Sequence, residues 1–260
     1  MEFSLKEKYG ATDLIEIVRL LRAPGGCPWD REQTHASIRM NFIEETYEAA
    51  EAIDAGDPAM LEEELGDVLL QVALHAQMEA EAGRFTFDDV CDGICKKLIY
   101  RHPHVFGDVT ADTSGQVLKN WDELKKKEKH HETAASDLEA VPTTLPGAMR
   151  AAKLQKRAAG YGLGWHGAQE ALSAAAAAGE ALCAAAEQEA RAQAAGRLLF
   201  AAVGAVRLAG VDAELALTRA SETFTAAAAE AERRAEAKGG FSALSGPERD
   251  ELWRGITKFP

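Results

Sequence analysis

Two acidic clusters stand near each other in the sequence. Glu44-Glu45-Thr46-Tyr47-Glu48 is followed by Glu64-Leu65-Gly66-Asp67. Glu45 and Glu48 are three residues apart, so on a helix they project from one face, one turn from each other, and Glu64 and Asp67 do the same. Two such pairs facing each other would offer four oxygen donors to a hard cation, with water and a substrate phosphate completing its shell. Taken singly, Glu44, Glu51, Glu62 and Glu63 read as solvated charges. Asp67 is different, because the run from Leu65 to Leu74 is apolar almost all round. A carboxylate buried there without a partner would cost several kcal/mol or stay protonated. A metal, a hydrogen-bonded structural aspartate and a narrow polar stripe facing solvent each meet that requirement. Gly66 costs about 1 kcal/mol against alanine in mid-helix; it either lets helices approach closely or is incidental.

A second set of residues suits phosphate. Lys97 and Arg101 are four apart, on one face near the end of a helix. The helix dipole alone favours cations there; the functional alternative is that both meet phosphate oxygens, Arg101 in bidentate fashion. His102 and His104 flank Pro103 and are poorly arranged as a metal pair, so packing or hydrogen bonding suits them better. Trp29, in the turn-rich loop Gly25 to Asp30, either stacks on a base or fills a capping or core position.

The elements that must position these residues are helices. Strand signals are nearly absent, and the fold class read from the pattern is all-α. Thr12 is placed to cap a first helix carrying Leu14, Ile15, Val18 and Leu21, which ends before Pro24. A second helix is expected from about Thr34 to Ala55, ending at Gly56. Asp57 then caps a third, with Pro58 at its first position and Gly83 as its terminator. The connection between these two is short, so they must be antiparallel neighbours. Thr86 and Asp89 form a capping box for a fourth helix, which stops before Pro103. A fifth is expected over about 114–130. From about Glu132 to Pro146 prolines and threonines break the pattern, so 132–146 is taken as a linker between domains at 1–131 and 147–260.

The later domain echoes the earlier one. Leu65-Gly66-Asp67-Val68-Leu69-Leu70 resembles Ala195-Gly196-Arg197-Leu198-Leu199-Phe200, and Leu98 answers to Phe224 after a small gap. Two copies of one helical unit are expected. The second is alanine-rich between Ala171 and Ala195, which gives strong helix propensity and little buried area.

Composition narrows the partners. The chain has 260 residues and a formal net charge of -13, with no basic block beyond Lys125-Lys126-Lys127. Nucleic acid and anionic membrane surfaces are disfavoured as partners. A polyphosphate remains compatible if divalent metal bridges the negative charges. The four cysteines, Cys27, Cys91, Cys95 and Cys183, form no CxxC pair and are read as reduced thiols of a cytoplasmic protein. The segment from Met1 to Gly10 does not read as a signal peptide, and no membrane span is expected.

Together, GGCPWD at Gly25 to Asp30, IEETYE at Ile43 to Glu48, EELGDVL at Glu63 to Leu69 and KLIYRHPHVF at Lys97 to Phe106 resemble the MazG nucleoside triphosphate pyrophosphohydrolases. LPGAMRAAKLQKRA, Leu145 to Ala158, is similar to the segment that opens the second half of two-copy members. The resemblance implies helices from two subunits completing four-helix bundles, hence a homodimer. It also implies hydrolysis between the α- and β-phosphates, giving nucleoside monophosphate and pyrophosphate. By position, Glu45, Glu48, Glu64 and Asp67 would bind Mg2+, and Lys97, Arg101 and Trp29 would meet the substrate. Glu44 would lie near the attacking water, and Glu44 and Glu45 are the candidate catalytic residues. Such an ion would neutralise and orient the polyphosphate and acidify a water, and a glutamate would take that water's proton.

The second copy departs from this pattern. At an offset of 130, Glu64 maps to Ala194 and Asp67 to Arg197, while the acids of 44–48 fall in the acid-free stretch Ser173 to Gly179. That copy is expected to be a structural or dimerising remnant. Two alternatives stand beside the enzyme: a non-catalytic nucleotide-binding or regulatory dimer, and a related hydrolase acting on dUTP or phosphoribosyl-ATP.

Overall fold

A computed structural model of the chain describes residues 3–110, 113–117, 120–121, 124 and 133–256. The protein is all-α; among the described residues there is no strand. It divides into two compact units, Met1–Leu124 and Lys125–Pro260.

In the first unit, α1 (Ala11–Arg22) starts two residues earlier than a cap at Thr12 would allow. Gly10 is the N-cap, and Asp13 closes the turn by accepting from the Gly10 N–H at 2.9 Å. Its apolar face, Leu14, Ile15 and Val18, meets Ile38, Leu70, Ala73, Leu74 and Met78 in the core of the unit. The loop after Pro24 turns tightly against α1. A Cβ on Gly26 would lie 2.3 Å from the Leu20 carbonyl oxygen, so only glycine fits. The GGCPWD segment, expected to be loop throughout, contains a short helix, α2 (Pro28–Glu32), started by Pro28.

The next helix, α3 (Arg39–Ala55), begins later than the expected Thr34, because residues 35–38 form turns instead. It ends at Gly56, whose φ of +65° is the left-handed value that favours glycine. Asp57 follows and caps α4 (Pro58–Glu81), its Oδ1 accepting from Ala59 N at 3.0 Å and Met60 N at 3.2 Å. A connection this short folds α3 and α4 into an antiparallel hairpin, and α1 packs across α4. Then come α5 (Phe87–Arg101), opened by the expected Thr86–Asp89 capping box, and the short α6 (Pro103–Phe106). Most of the helix expected over 114–130 lies outside the described residues.

The stretch taken as a linker is partly folded. It contains α7 (Ala134–Glu139), whose buried Asp137 pairs with Arg157 at 3.0 Å; Arg157 also donates to the Asp137 carbonyl. Arg157 belongs to α8 (Gly147–Ala159), and α9 (Ala168–Ala184), α10 (Gln188–Leu208), α11 (Ala213–Glu236) and α12 (Gly246–Arg254) follow. In this second unit α9 and α10 form a hairpin and α8 packs on α10, the same order in which α3, α4 and α1 pack in the first. Gly204 on α10 makes room for Trp165: a Cβ there would lie 2.7 Å from the indole. No single described helix is long and apolar enough to cross a membrane.

Candidate functional site

The hairpin of α3 and α4 brings the two acidic clusters together. Helical spacing sets Glu45 and Glu48 on one face of α3 and Glu64 and Asp67 on one face of α4, and the Gly56-Asp57 turn faces them across the pair. Carboxylate oxygens of Glu45, Glu48 and Glu64 lie within 4.8 Å of one another. Glu45 and Glu64 are half-buried and Glu48 is exposed. Asp67, also half-buried, adds its charge to the same group.

Crowded acids resist ionisation. Burial, then the charges of Asp67 and Glu48, push the Glu45 carboxyl above the ordinary range. For Glu64, burial and then the neighbouring Glu48, Glu63 and Asp67 do the same. Such a set is costly when ionised and uncompensated, and a hard divalent cation compensates it while taking oxygen ligands of this kind. The donor chemistry and the spacing of the oxygens therefore fit a metal of that class.

The other residues singled out in the sequence are placed differently. Glu44 is exposed on α3, pointing along a different direction from Glu45 by its position on the helix. Lys97 is exposed on α5. Arg101, by contrast, is 7% exposed, and its guanidinium carbon sits 5.4 Å from the ring centroid of Trp121, a cation–π arrangement. Trp29 on α2 is 58% exposed, its carbonyl accepting from the Gln33 amide at 2.9 Å. His102 bonds the Leu98 carbonyl through Nδ1 at 2.7 Å and lies beside the His104 ring, a local packing role.

Below the acids, α4 carries a polar line that spacing alone does not announce. Gln71, one turn beyond Asp67, is 6% exposed, and its Oε1 finds no hydrogen-bond donor among the described residues. One turn further, His75 stacks on His35 with ring centroids 4.9 Å apart and their Nδ1 atoms at 2.7 Å. His35 Nε2 meets Glu79 at 2.6 Å, and Arg84 pairs with the same carboxylate. Arg84's hydrogen bond, with His35 adding to it, pulls the Glu79 carboxyl down to about 2. The signal available in sequence was the step of four from Asp67 to Gln71 to His75 to Glu79 within an apolar run.

The second unit holds no such acids on its hairpin. The positions matching Glu44, Glu48 and Asp67 are Ala174, Ala178 and Arg197, and these, with Trp165, Gly196 and Phe200, line a groove of about 940 Å³.

An all-α hairpin presenting a convergent carboxylate cluster defines a class of helical protein built around a divalent-cation type of site. Comparison with known proteins narrows the class. Residues 33–106, which span α3, α4 and α5, match the MazG nucleotide pyrophosphohydrolase domain. The chain is 39% identical over 258 residues to the nucleoside triphosphate pyrophosphohydrolase of Escherichia coli (strain K12), covering 94% of this chain and 96% of that protein. It is also 39% identical over 212 residues to the nucleoside triphosphate pyrophosphohydrolase/pyrophosphatase MazG of Thermotoga maritima, covering 82% of this chain and 81% of the other. The chain belongs to the MazG family, and it is an enzyme of the nucleotide pyrophosphohydrolase kind.

Proposed function

We propose that the first unit hydrolyses nucleoside triphosphates to nucleoside monophosphate and pyrophosphate with Mg2+, and that Glu45, Glu48, Glu64 and Asp67 hold the ion. The observation that carries this reading is the convergence of three carboxylate oxygens within 4.8 Å on the α3–α4 hairpin. Bound there, the cation would offset the charge of the polyphosphate and acidify a water. The chain's own residues do the rest. Glu44 or Glu45 takes a proton from the attacking water. Lys97, exposed on α5, meets phosphate oxygens. Arg101, held on Trp121, contributes from a fixed position rather than from a mobile side chain. The exposed indole of Trp29 offers a face for base stacking.

The protein acts as a homodimer in this reading. Support comes from α5, where Val90, Ile94 and Leu98, spaced by four, are 39%, 47% and 46% exposed and form an apolar stripe. The second unit, alanine-lined where the first is acidic, serves structure or dimerisation.

The test is pyrophosphate release from a mixed set of nucleoside triphosphates, with and without Mg2+, by the wild type and by Glu48→Ala. Release that needs Mg2+ and disappears in the variant is the expected result. Nucleotide binding without release by the wild type would leave the non-catalytic regulatory dimer as the better description.

A further inference from the structure

The polar line on α4 does not stop at the carboxylates. Glu64, Asp67, Gln71 and His75 follow one another at steps of three or four, so all four lie on the stripe that α4 turns toward α3. Gln71 is the most deeply buried of them, 6% exposed, and it is the one whose acceptor is unmatched. An amide oxygen in that situation is expensive, and native proteins almost always supply it with a donor. Its neighbours on the stripe cannot do so. Asp67 and Glu64, when ionised, only accept hydrogen bonds. His35 gives its Nε2–H to the Glu79 carboxylate and accepts at Nδ1, so the one proton of neutral His75 sits on its Nδ1 and its Nε2 can only accept. The carboxylate cluster one turn away is a side from which a donor can come, because a divalent cation there would carry water.

We propose that Gln71 is a positioning residue of the site, its Oε1 accepting a hydrogen bond from a water that the cation holds on the Asp67 side of the cluster. The inference rests on the reading of the cluster as a cation site. Gln71 touches neither the ion nor the nucleotide; it fixes one water of the hydrated ion and so raises the affinity of the site and orients what it holds. The side chain is kept at a cost to the empty protein, because an apolar residue of the same size would fill the position without an orphaned acceptor.

That cost gives the test two readouts that move in opposite directions. Mn2+, in place of Mg2+, is titrated into the full chain and free ion is followed by electron paramagnetic resonance; the melting temperature of the metal-free protein is measured alongside. Gln71→Leu is expected to weaken Mn2+ binding by roughly 10- to 100-fold while the metal-free melting temperature stays level or rises. Gln71→Met, which keeps the length and flexibility of the side chain, is measured in parallel and decides the matter if the branched leucine is not accommodated. Wild-type Mn2+ affinity in a folded variant would overturn the proposal, and so would parallel loss of affinity and metal-free stability in both variants, the mark of a structural role. If the wild type itself bound no Mn2+, the cation reading would fall and the proposal with it, an outcome distinct from the other two.

Discussion

Glu45 and Glu64 hold their protons more tightly in the folded chain than ordinary glutamates do, for reasons of burial first and neighbouring acids second. The sign of the consequence follows by linkage. The folded state gains from these groups below the ordinary value of 4.5, and that advantage disappears as pH rises through the raised values. At neutral pH the metal-free site is therefore a source of repulsion, and a divalent cation should relieve it. Mg2+ should raise the melting temperature at pH 8, by an amount equivalent to about 2.7 kcal/mol at a concentration 100 times its dissociation constant, and the rise should shrink as pH falls toward 4.5. In Glu64→Gln the metal-free protein should melt higher than wild type at pH 8 and respond little to Mg2+. Scanning fluorimetry across pH and Mg2+ checks this; an Mg2+ effect equal at pH 5 and pH 8, or undiminished in Glu64→Gln, would contradict it. At this scale the sequence was informative where period alone fixes geometry, as it does for residues three apart on one helix. It was silent on the cation–π contact of Arg101 with Trp121, a partner twenty positions away that no helical period connects to it.

The hairpin of α3 and α4 is held by more than its turn. His35, in the turn before α3, is tied to α4 through His75 and Glu79, while Arg84 braces Glu79 from beyond the end of α4. Two titrations act on this tie. Glu79, lowered to about 2, contributes stability above 4.5 that is lost only as pH falls toward 2. His75 is pushed below its ordinary 6.5 by burial and then by His35, so its contribution is present above 6.5 and is lost as pH falls below that value. A proton added to His75 would also leave both of its ring nitrogens as donors only. The wild type should accordingly lose urea resistance between pH 7 and pH 5. His75→Phe, which keeps a ring against Phe42, should show a flatter midpoint over the same range. Identical slopes for the two proteins in urea titrations would remove the pair from the account. The caps of α4 and α5 were legible in advance, because Asp57-Pro58 and Thr86–Asp89 are local signals. The start of α3 was not: Ser37 and Thr34 bond each other's backbone and side chains and hold residues 35–38 in turns, a competition with helix that periodicity does not weigh.

At the scale of the whole chain, two units repeat one order of helices but differ in what their hairpins present. Gly66 and Gly196, with the elements around them, are the sequence signal for expecting a repeat. The folding of 134–139 onto α8 was not, since the Asp137–Arg157 pair joins residues whose closeness only the tertiary structure creates. The difference between the hairpins leads to a count. Where the first presents Glu45, Glu48, Glu64 and Asp67, the second presents alanines and Arg197 around an apolar groove, and neither an alanine nor an arginine can ligate a hard cation. Mn2+ binding should therefore saturate at the number of ions that one cluster per chain holds. Asp67→Asn should weaken that binding and lower kcat/KM by at least about 100-fold, roughly 2.7 kcal/mol of barrier. Arg197→Ala should leave both the stoichiometry and the rate within about twofold of wild type, because a change of that size is well under 1 kcal/mol of barrier. Calorimetric titration of the three proteins, with turnover measured on the same samples, separates the cases. Half the binding surviving in Asp67→Asn, or a rate that falls in Arg197→Ala as far as in Asp67→Asn, would mean that the second unit works in the reaction, and the division of labour between the two copies would have to be reversed or shared.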